Sequence, residues 1–81
     1  MKRFISYDLD GRYDEFVEKL RQEEFRVEDE RVCSPKIGSA FILGSFNKGY
    51  FFVIPTERMN KVEVSERSRL LKIADDFNFK P

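Results

Sequence analysis

The chain has 81 residues, of which 15 are basic, 15 are acidic and none is His, so its formal net charge is zero. This length suits one domain over residues 1–81, and a hydrophobic content of 41% is too high for a disordered chain. The lack of His excludes Ser-His and Cys-His nucleophile pairs, and a single Cys excludes a disulfide framework or a Cys-rich zinc site.

The first predicted elements are a strand over residues 3–9 and a helix over residues 11–24. Alternation along the strand places Ser6 and Asp8 on one face, and Tyr7 and Leu9 on the other. Asp10 is the predicted N-cap of the helix, because its short carboxylate can accept a backbone N–H of the first turn. Helical spacing predicts one stripe, made of Tyr13, Phe16, Val17, Leu20 and Glu24.

Residues 25–33 are ambiguous, since only their first half alternates like a half-buried strand. The high charge of this segment favours an exposed edge of the sheet. Pro35 and Gly38 then indicate a loop.

Residues 40–46 and 50–54 carry the strongest local pattern, two β-prone runs joined by residues 47–49. A three-residue connection that ends in Gly49 predicts a hairpin with a bulge and a positive φ at Gly49. Pro55 ends the second strand.

The last predicted helix begins with Ser65 as its N-cap and Glu66 in its first turn. Arg67 and Arg69 lie on its polar side, and residues 77–80 form either a frayed end or a very short strand. The apolar stripe of this helix consists of Leu70, Leu71, Ile73, Ala74 and Phe77.

This order of elements predicts an α+β fold with a small antiparallel sheet and two helices on one face. A ferredoxin-like arrangement is one form of this class. Both faces of the hairpin are apolar, because Tyr50, Phe52 and Ile54 alternate with Phe51 and Val53. Two short helices cover one face, so the Tyr50 face needs a loop, a second copy, another protein or nucleic-acid bases to cover it. The face that carries Tyr50 continues onto the preceding strand, through either Ala40, Ile42 and Phe46 or else Phe41 and Leu43.

Asp8 and Asp10 are candidate ligands for Mg²⁺, which prefers oxygen ligands. The alternative is that Asp10 caps the helix and Asp8 caps the turn. Residues 5–11 resemble the start of small ferredoxin-like CRISPR spacer-acquisition endonucleases and VapD ribonuclease toxins. These proteins open with a strand that ends in Tyr-Asp or Phe-Asp and is followed directly by a helix. The resemblance covers residues 1–20 and implies a nuclease role for Asp8. Further along, those families have a helix where this chain has a tight hairpin.

Residues 48–53 are similar to the octapeptide of RNA-recognition motifs. The resemblance implies that Tyr50 and Phe52 stack on bases. Phe51 and Pro55 depart from the motif, and a net charge of zero argues against strong phosphate binding. Three cations near this segment favour phosphate binding: Lys48, Arg58 and Lys61.

Charge is uneven along the chain, with ten acids and four bases in residues 8–30 but eight bases and three acids in residues 31–72. This split indicates either two solvated faces or a dipolar molecule that docks on an acidic partner. Cys33 is either a small apolar filler or a free thiol, since nothing nearby in the sequence supplies a base.

We therefore expect a non-catalytic protein-binding module of the inhibitor or adaptor type. We expect it to need no cofactor, to self-associate through the Tyr50 face and to bind through Tyr50, Phe52, Lys48, Arg58 and Lys61. Alternatives are a single-stranded RNA-binding domain that uses Tyr50 and Phe52, and an Mg²⁺-dependent nuclease that uses Asp8. No apolar run reaches the ~20 residues of a membrane span, and a free thiol favours the cytoplasm.

Overall fold

The structure, a computed structural model, describes residues 5–37, 42–53 and 59–79. Five strands, two helices and a short 3₁₀ helix at Pro35–Ile37 make up the described part. Parts of the predicted elements lie outside it: the strand start at residues 3–4, Gly38, residues 40–41, Ile54, Pro55, Arg58 and Lys80. In chain order, the strands and helices are β1 (Ile5–Asp8), α1 (Tyr13–Gln22), β2 (Arg26–Glu28), β3 (Arg31–Cys33), β4 (Gly44–Asn47), β5 (Tyr50–Val53) and α2 (Lys61–Asp76).

The five strands form one antiparallel sheet in the order β1-β5-β4-β3-β2. Helix α1 carries the chain from β1 at one edge to β2 at the other edge. The next three strands return as a meander until β5 lies beside β1. The predicted α+β class with an antiparallel sheet is confirmed. The described elements follow the order β-α-β-β-β-β-α, which differs from the β-α-β-β-α-β order of ferredoxin-like folds.

One face of the sheet packs against the helices and forms the core. Phe16 of α1 lies at its centre, fully buried, and its ring centroid lies between 4.9 and 6.1 Å from those of four other Phe rings. The predicted core residues Leu20 and Leu70 are also fully buried, and Phe77 packs at the margin. The sheet side chains of this core are Tyr7, Val27, Val32, Phe46, Phe51 and Val53.

The opposite face of the sheet, which we call the open face, carries the alternate residue of each strand. The strand registers place Tyr50 and Phe52 here, as the two-residue period predicts. Its other described residues are Ser6 and Asp8 on β1, Ser45 and Asn47 on β4, Arg31 and Cys33 on β3, and Arg26 and Glu28 on β2.

Both hairpin turns differ from the prediction. Asn47 pairs with Tyr50, so the β4–β5 connection has two residues, Lys48 and Gly49, rather than three with a bulge. Their φ angles of 50° and 90° define the tight turn that matches the twist of the strands, and the positive φ predicted at Gly49 is confirmed. Residues 25–33 form a second hairpin of this kind around Asp29 and Glu30 (φ 51° and 62°).

The starts of both helices were predicted wrongly. Asp10 does not cap α1, because it lies in the preceding turn with φ 54°, and Arg12 occupies the N-cap position without a side-chain cap. Helix α2 begins at Lys61, before the predicted cap Ser65, because Asn60 and Glu63 form a reciprocal capping box. After α2, residues 77–79 form a turn and not a strand, and Phe79 folds back into the core.

Candidate binding surface

Two aromatic side chains lie next to each other on the open face. Tyr50 is 45% exposed, and its ring centroid is 6.4 Å from that of the partly buried Phe52. Both belong to β5, which has β1 on one side and β4 on the other. The pair therefore forms a raised aromatic strip along one strand, which we call the aromatic ridge.

Small and polar residues flank the aromatic ridge. Phe52 pairs with Ser6 on β1 and with Ser45 on β4, while Tyr50 pairs with Asp8 and Asn47. The expectation that Phe46 extends this face is wrong, because Phe46 pairs with Phe51 and points with it into the core. The aromatic surface is thus narrower than predicted, with one serine on each side of Phe52 and Asp8 and Asn47 on the two sides of Tyr50.

Charges lie at the margins of the open face. Asp8 is exposed on β1, and Arg31 is exposed on β3, across Ser45. Lys48 is exposed in the turn at the end of the ridge. Lys61 is exposed too, but it begins α2, whose other end lies near Asp8. A helix of 16 residues is about 24 Å long, so Lys48 and Lys61 lie at opposite ends of the molecule. Arg58, the third predicted cation, lies outside the described residues.

Cys33 also lies on the open face, next to Arg26 in the β2–β3 pair. Its thiol is free and its side chain is half-buried. Its half-buried side chain is consistent with both interpretations of the sequence, an apolar filler and a free thiol.

An open cavity of about 270 Å³ lies between the end of β1 and the residues that follow α2. The candidate ligands Asp8 and Asp10 both line it, so the structure brings them together. Asp8 Oδ1 accepts the backbone N–H of Asp10 at 2.9 Å, which confirms the alternative that Asp8 caps this turn. The other lining residues are Arg12, Phe77, Asn78 and Phe79.

Arg12 occupies one wall of this cavity. Its guanidinium lies 4.8 Å from the centroid of the Phe77 ring and donates to the Phe77 carbonyl oxygen at 3.0 Å. It also pairs with Glu15 at 3.2 Å. Because the C-terminal end of a helix carries partial negative charge, this guanidinium stabilises the end of α2. Among residues 5–37, 42–53 and 59–79, no group of three or more His, Cys, Asp or Glu could hold a metal ion. A metal ion bound by Asp8 and Asp10 would have two carboxylate ligands and would lie in the same cavity as the positively charged Arg12, which would repel it.

A buried polar network lies on the other side of the core, and the sequence did not predict it. Glu66 has 4% of its side chain exposed, and it accepts hydrogen bonds from Ser34 Oγ and, at 2.8 Å, from Arg69. Arg69 also donates to the Glu23 carbonyl oxygen at 2.7 Å and lies 4.3 Å from the Phe25 ring centroid. Arg69, which was predicted on the polar side of the last helix, is partly buried in contact with the end of α1. The i, i+3 spacing of Glu66 and Arg69 is the only feature of the sequence that indicates this ion pair.

Ion pairing sets the protonation of this network. The hydrogen bond from Arg69 lowers the pKa of Glu66, burial opposes this shift, and the Ser34 hydroxyl supports it. Glu66 in turn raises the pKa of Arg69. Both groups are charged at neutral pH, and they hold the 3₁₀ helix, α1 and α2 together.

Tyr7 has a different environment on the helix side of β1. Burial raises the pKa of its phenol, with a further contribution from the negative charge of Asp75. The ring stacks with Phe51, so Tyr7 belongs to the core and not to the open face.

Compared with protein-family models, with curated proteins and with solved structures, the chain gives no significant match. Among the described residues, no helix is long and apolar enough to cross a membrane.

Proposed function

We propose that this chain is a small non-catalytic protein-binding module of the inhibitor or adaptor type. Its binding surface is the open face, with Tyr50 and Phe52 as anchors and Lys48 at the rim, and the same face carries self-association. The observation that supports this proposal is the position of Tyr50, a large aromatic side chain that is 45% exposed on the open face at the start of β5, beside the β4–β5 turn.

Aromatic side chains contribute strongly to binding because they bury a large apolar area with few rotatable bonds to order. Tyr is enriched at protein interfaces, where its ring loses water while its hydroxyl keeps a hydrogen-bond partner. Anchors of this kind lie near the centre of an interface and are surrounded by contacts that exclude water. Ser6, Ser45 and Asn47 around the ridge provide such a polar surround.

The proposal places the chain in the cytoplasm. There the thiol of Cys33, which shares the open face, stays reduced.

The test compares Tyr50→Lys with Val62→Lys as baits in a lysate, after covalent cross-linking. Both substitutions replace an exposed apolar side chain, but Val62 is 50% exposed on α2, away from the open face. We expect wild type and Val62→Lys to retain the same cross-linked proteins and Tyr50→Lys to lose them. Equal retention by both variants contradicts the proposal. Urea denaturation of all three chains verifies that each is folded.

Single-stranded RNA is the second candidate partner. Tyr50 and Phe52 lie two residues apart on one exposed face, and Arg31 lies on the same face across Ser45. Bases stack on aromatic rings and guanidinium planes, while phosphates need cations nearby. This proposal predicts that a fluorescent single-stranded RNA gains anisotropy on binding, and that Tyr50→Lys weakens binding although it adds a positive charge. Binding that Tyr50→Lys strengthens would show only electrostatic attraction and would contradict stacking.

A further inference from the structure

The two edges of the described sheet, β1 and β2, differ in how their outward backbone groups are used. On β2, the two-residue turn after Glu28 makes Glu28 and Arg31 a hydrogen-bonded pair, so the alternation of such pairs directs the backbone N–H and C=O of Val27 outward. Arg21 of α1 donates to the Val27 carbonyl oxygen at 3.2 Å. A side chain of the protein thus occupies the outward acceptor of the β2 edge.

The β1 edge has no such cover among the described residues. Leu9 N–H donates to the Gly49 carbonyl oxygen at 2.9 Å, so Leu9, Tyr7 and Ile5 use their backbone groups toward β5. Ser6 and Asp8 therefore direct their backbone N–H and C=O outward. Within residues 5–37, 42–53 and 59–79, no strand or side chain forms a hydrogen bond with these four groups.

Asp8 adds a negative charge on the open-face side of this edge. Its carboxylate is exposed and forms no ion pair within the described ranges, either with Lys48 in the neighbouring turn or with another cation. On the helix side, burial raises the pKa of Tyr7, Asp75 adds to this shift and Arg67 opposes it. Both signs of charge therefore lie near Tyr7, and Asp8 alone favours one sign of partner.

We infer that the outer edge of β1 binds an extended segment of a partner protein as an additional strand, with a Lys or Arg side chain opposite Asp8. Peptides add to exposed sheet edges through main-chain hydrogen bonds, and alternate side chains give specificity. Here the segment pairs with Ser6 and Asp8, one strand away from the aromatic ridge. The inference rests on the proposed function, because it names how a partner of the open face is held.

A second copy of β1 is a poorer occupant of the same edge. The outward residues Ser6 and Asp8 must face each other in an antiparallel pair of two β1 strands, since only they direct hydrogen bonds to this side. Asp8 then lies opposite Ser6 or opposite the other Asp8. Neither arrangement brings a cation to its charge, whereas a basic side chain of a different segment does.

The probes are peptides selected on the full chain from a random-peptide library, and their dissociation constants are measured by fluorescence anisotropy. Ser6→Pro removes the outward N–H at a position where an edge strand tolerates Pro, while Ser6→Ala removes only the hydroxyl. We expect Ser6→Pro to raise the dissociation constant about tenfold or more, and Ser6→Ala to change it less than about threefold. Urea denaturation verifies that both variants are folded.

Hydrogen exchange of the wild type gives a second readout that needs no substitution. The amides of Ser6 and Asp8 exchange fast in the free protein and slowly with the peptide bound, whereas the Tyr7 amide, which is bonded to β5, is protected in both. Asp8→Lys tests the charge. We expect this variant to prefer a peptide in which Glu replaces the basic residue, the reverse of the wild-type preference.

The outcomes separate this inference from the proposed function. A library that yields no peptide, or peptides that bind Ser6→Pro as tightly as wild type, overturns the strand addition. Peptides that Tyr50→Lys releases but Ser6→Pro retains bind the open face without the edge, which overturns this inference and leaves the proposed function in place. Protection of Ser6 and Asp8 that rises with protein concentration alone assigns the edge to a second copy and overturns the peptide partner. The cross-linking experiment decides the proposed function independently.

Discussion

The carboxylate of Glu66, with 4% of its side chain exposed, accepts a 2.8 Å hydrogen bond from the guanidinium of Arg69 one turn further along α2. Ser34 supplies a second hydrogen bond from the segment after β3. A buried carboxylate without such partners would be strongly destabilising, so this pair links the end of the β2–β3 hairpin to the helix layer.

Arg69→Met tests this link directly. The substitution keeps an apolar stem over the Phe25 ring but removes the donor to Glu66. Loss of a hydrogen bond to a charged group lowers the free energy of unfolding by about 1.5–3 kcal/mol. Urea denaturation measures this loss, with Lys72→Met on the exposed side of α2 as the control. A variant as stable as the control would show that the pair contributes nothing.

The lowered pKa of Glu66 predicts that the stability of the fold depends on pH. Its folded-state pKa lies below the ordinary value of 4.5, chiefly because of the hydrogen bond from Arg69, so the unfolded chain binds the proton more readily. The stability that Glu66 contributes is therefore complete above pH 4.5 and is lost as the pH falls through the lowered pKa. Subtracting the unfolding free energies of Glu66→Gln from those of wild type across this range isolates the effect. A difference that does not change with pH contradicts the lowered pKa.

The β4–β5 turn predicts two opposite effects at neighbouring positions. Gly49 has φ 90°, so Gly49→Val lowers the free energy of unfolding by more than ~1 kcal/mol, because β-branched residues resist this conformation. Lys48 has φ 50°, and Lys48→Asn raises the stability by about 0.5–1 kcal/mol, since Asn-Gly favours this turn. Thermal melting measures both variants. An unchanged melting temperature for Gly49→Val would contradict the assigned turn.

Gly44 is required where β4 passes the core. A Cβ atom here would lie 2.7 Å from two ring carbons of Phe51 and 2.9 Å from the Phe52 carbonyl oxygen. The ring is fully buried and the carbonyl belongs to the sheet, so neither yields easily. Gly44→Ala therefore lowers the free energy of unfolding by about 1–3 kcal/mol. The control is Ser45→Ala, one residue along on the open face, which changes the free energy of unfolding by less than about 0.5 kcal/mol. Equal losses in the two variants would contradict a steric clash at position 44.

Regular patterns in the sequence predicted the regular part of the fold. Helical spacing identified Phe16, Leu20 and Leu70 as core residues, and alternation separated Tyr50 and Phe52 from Phe51. These predictions succeed because burial of one stripe or one face dominates the energy of an element.

Other features could not be read from local patterns. The β2–β3 turn holds Asp29 and Glu30 at positive φ, where Gly or Asn is usual, so nothing in the sequence marked a tight hairpin. Asn60 and Glu63 did carry a capping-box signal, but Ser65 has the same capping chemistry. The register between β4 and β5 decides that Ser45 and not Phe46 borders the aromatic ridge, and register depends on the turn.

The candidate surface was predicted only in part. Tyr50 and Phe52 lie on the open face as expected, and Lys48 lies at its end. Lys61 belongs to the helix layer instead, because α2 begins earlier than its predicted cap. Arg31, close to the ridge through the β3–β4 pair, was missed, since that pairing joins segments that a loop separates.

The central claim for self-association is that this chain associates with itself through the open face, and an NMR dilution series tests it most directly. Chemical shifts are followed from high to low protein concentration for residues of the open face and of α2. The account predicts that concentration-dependent shifts are confined to the open face and are largest around Ser6, Ser45, Tyr50 and Phe52. Shifts that do not change with concentration, or that change around the exposed Val62 and Val64 of α2 instead, would contradict it.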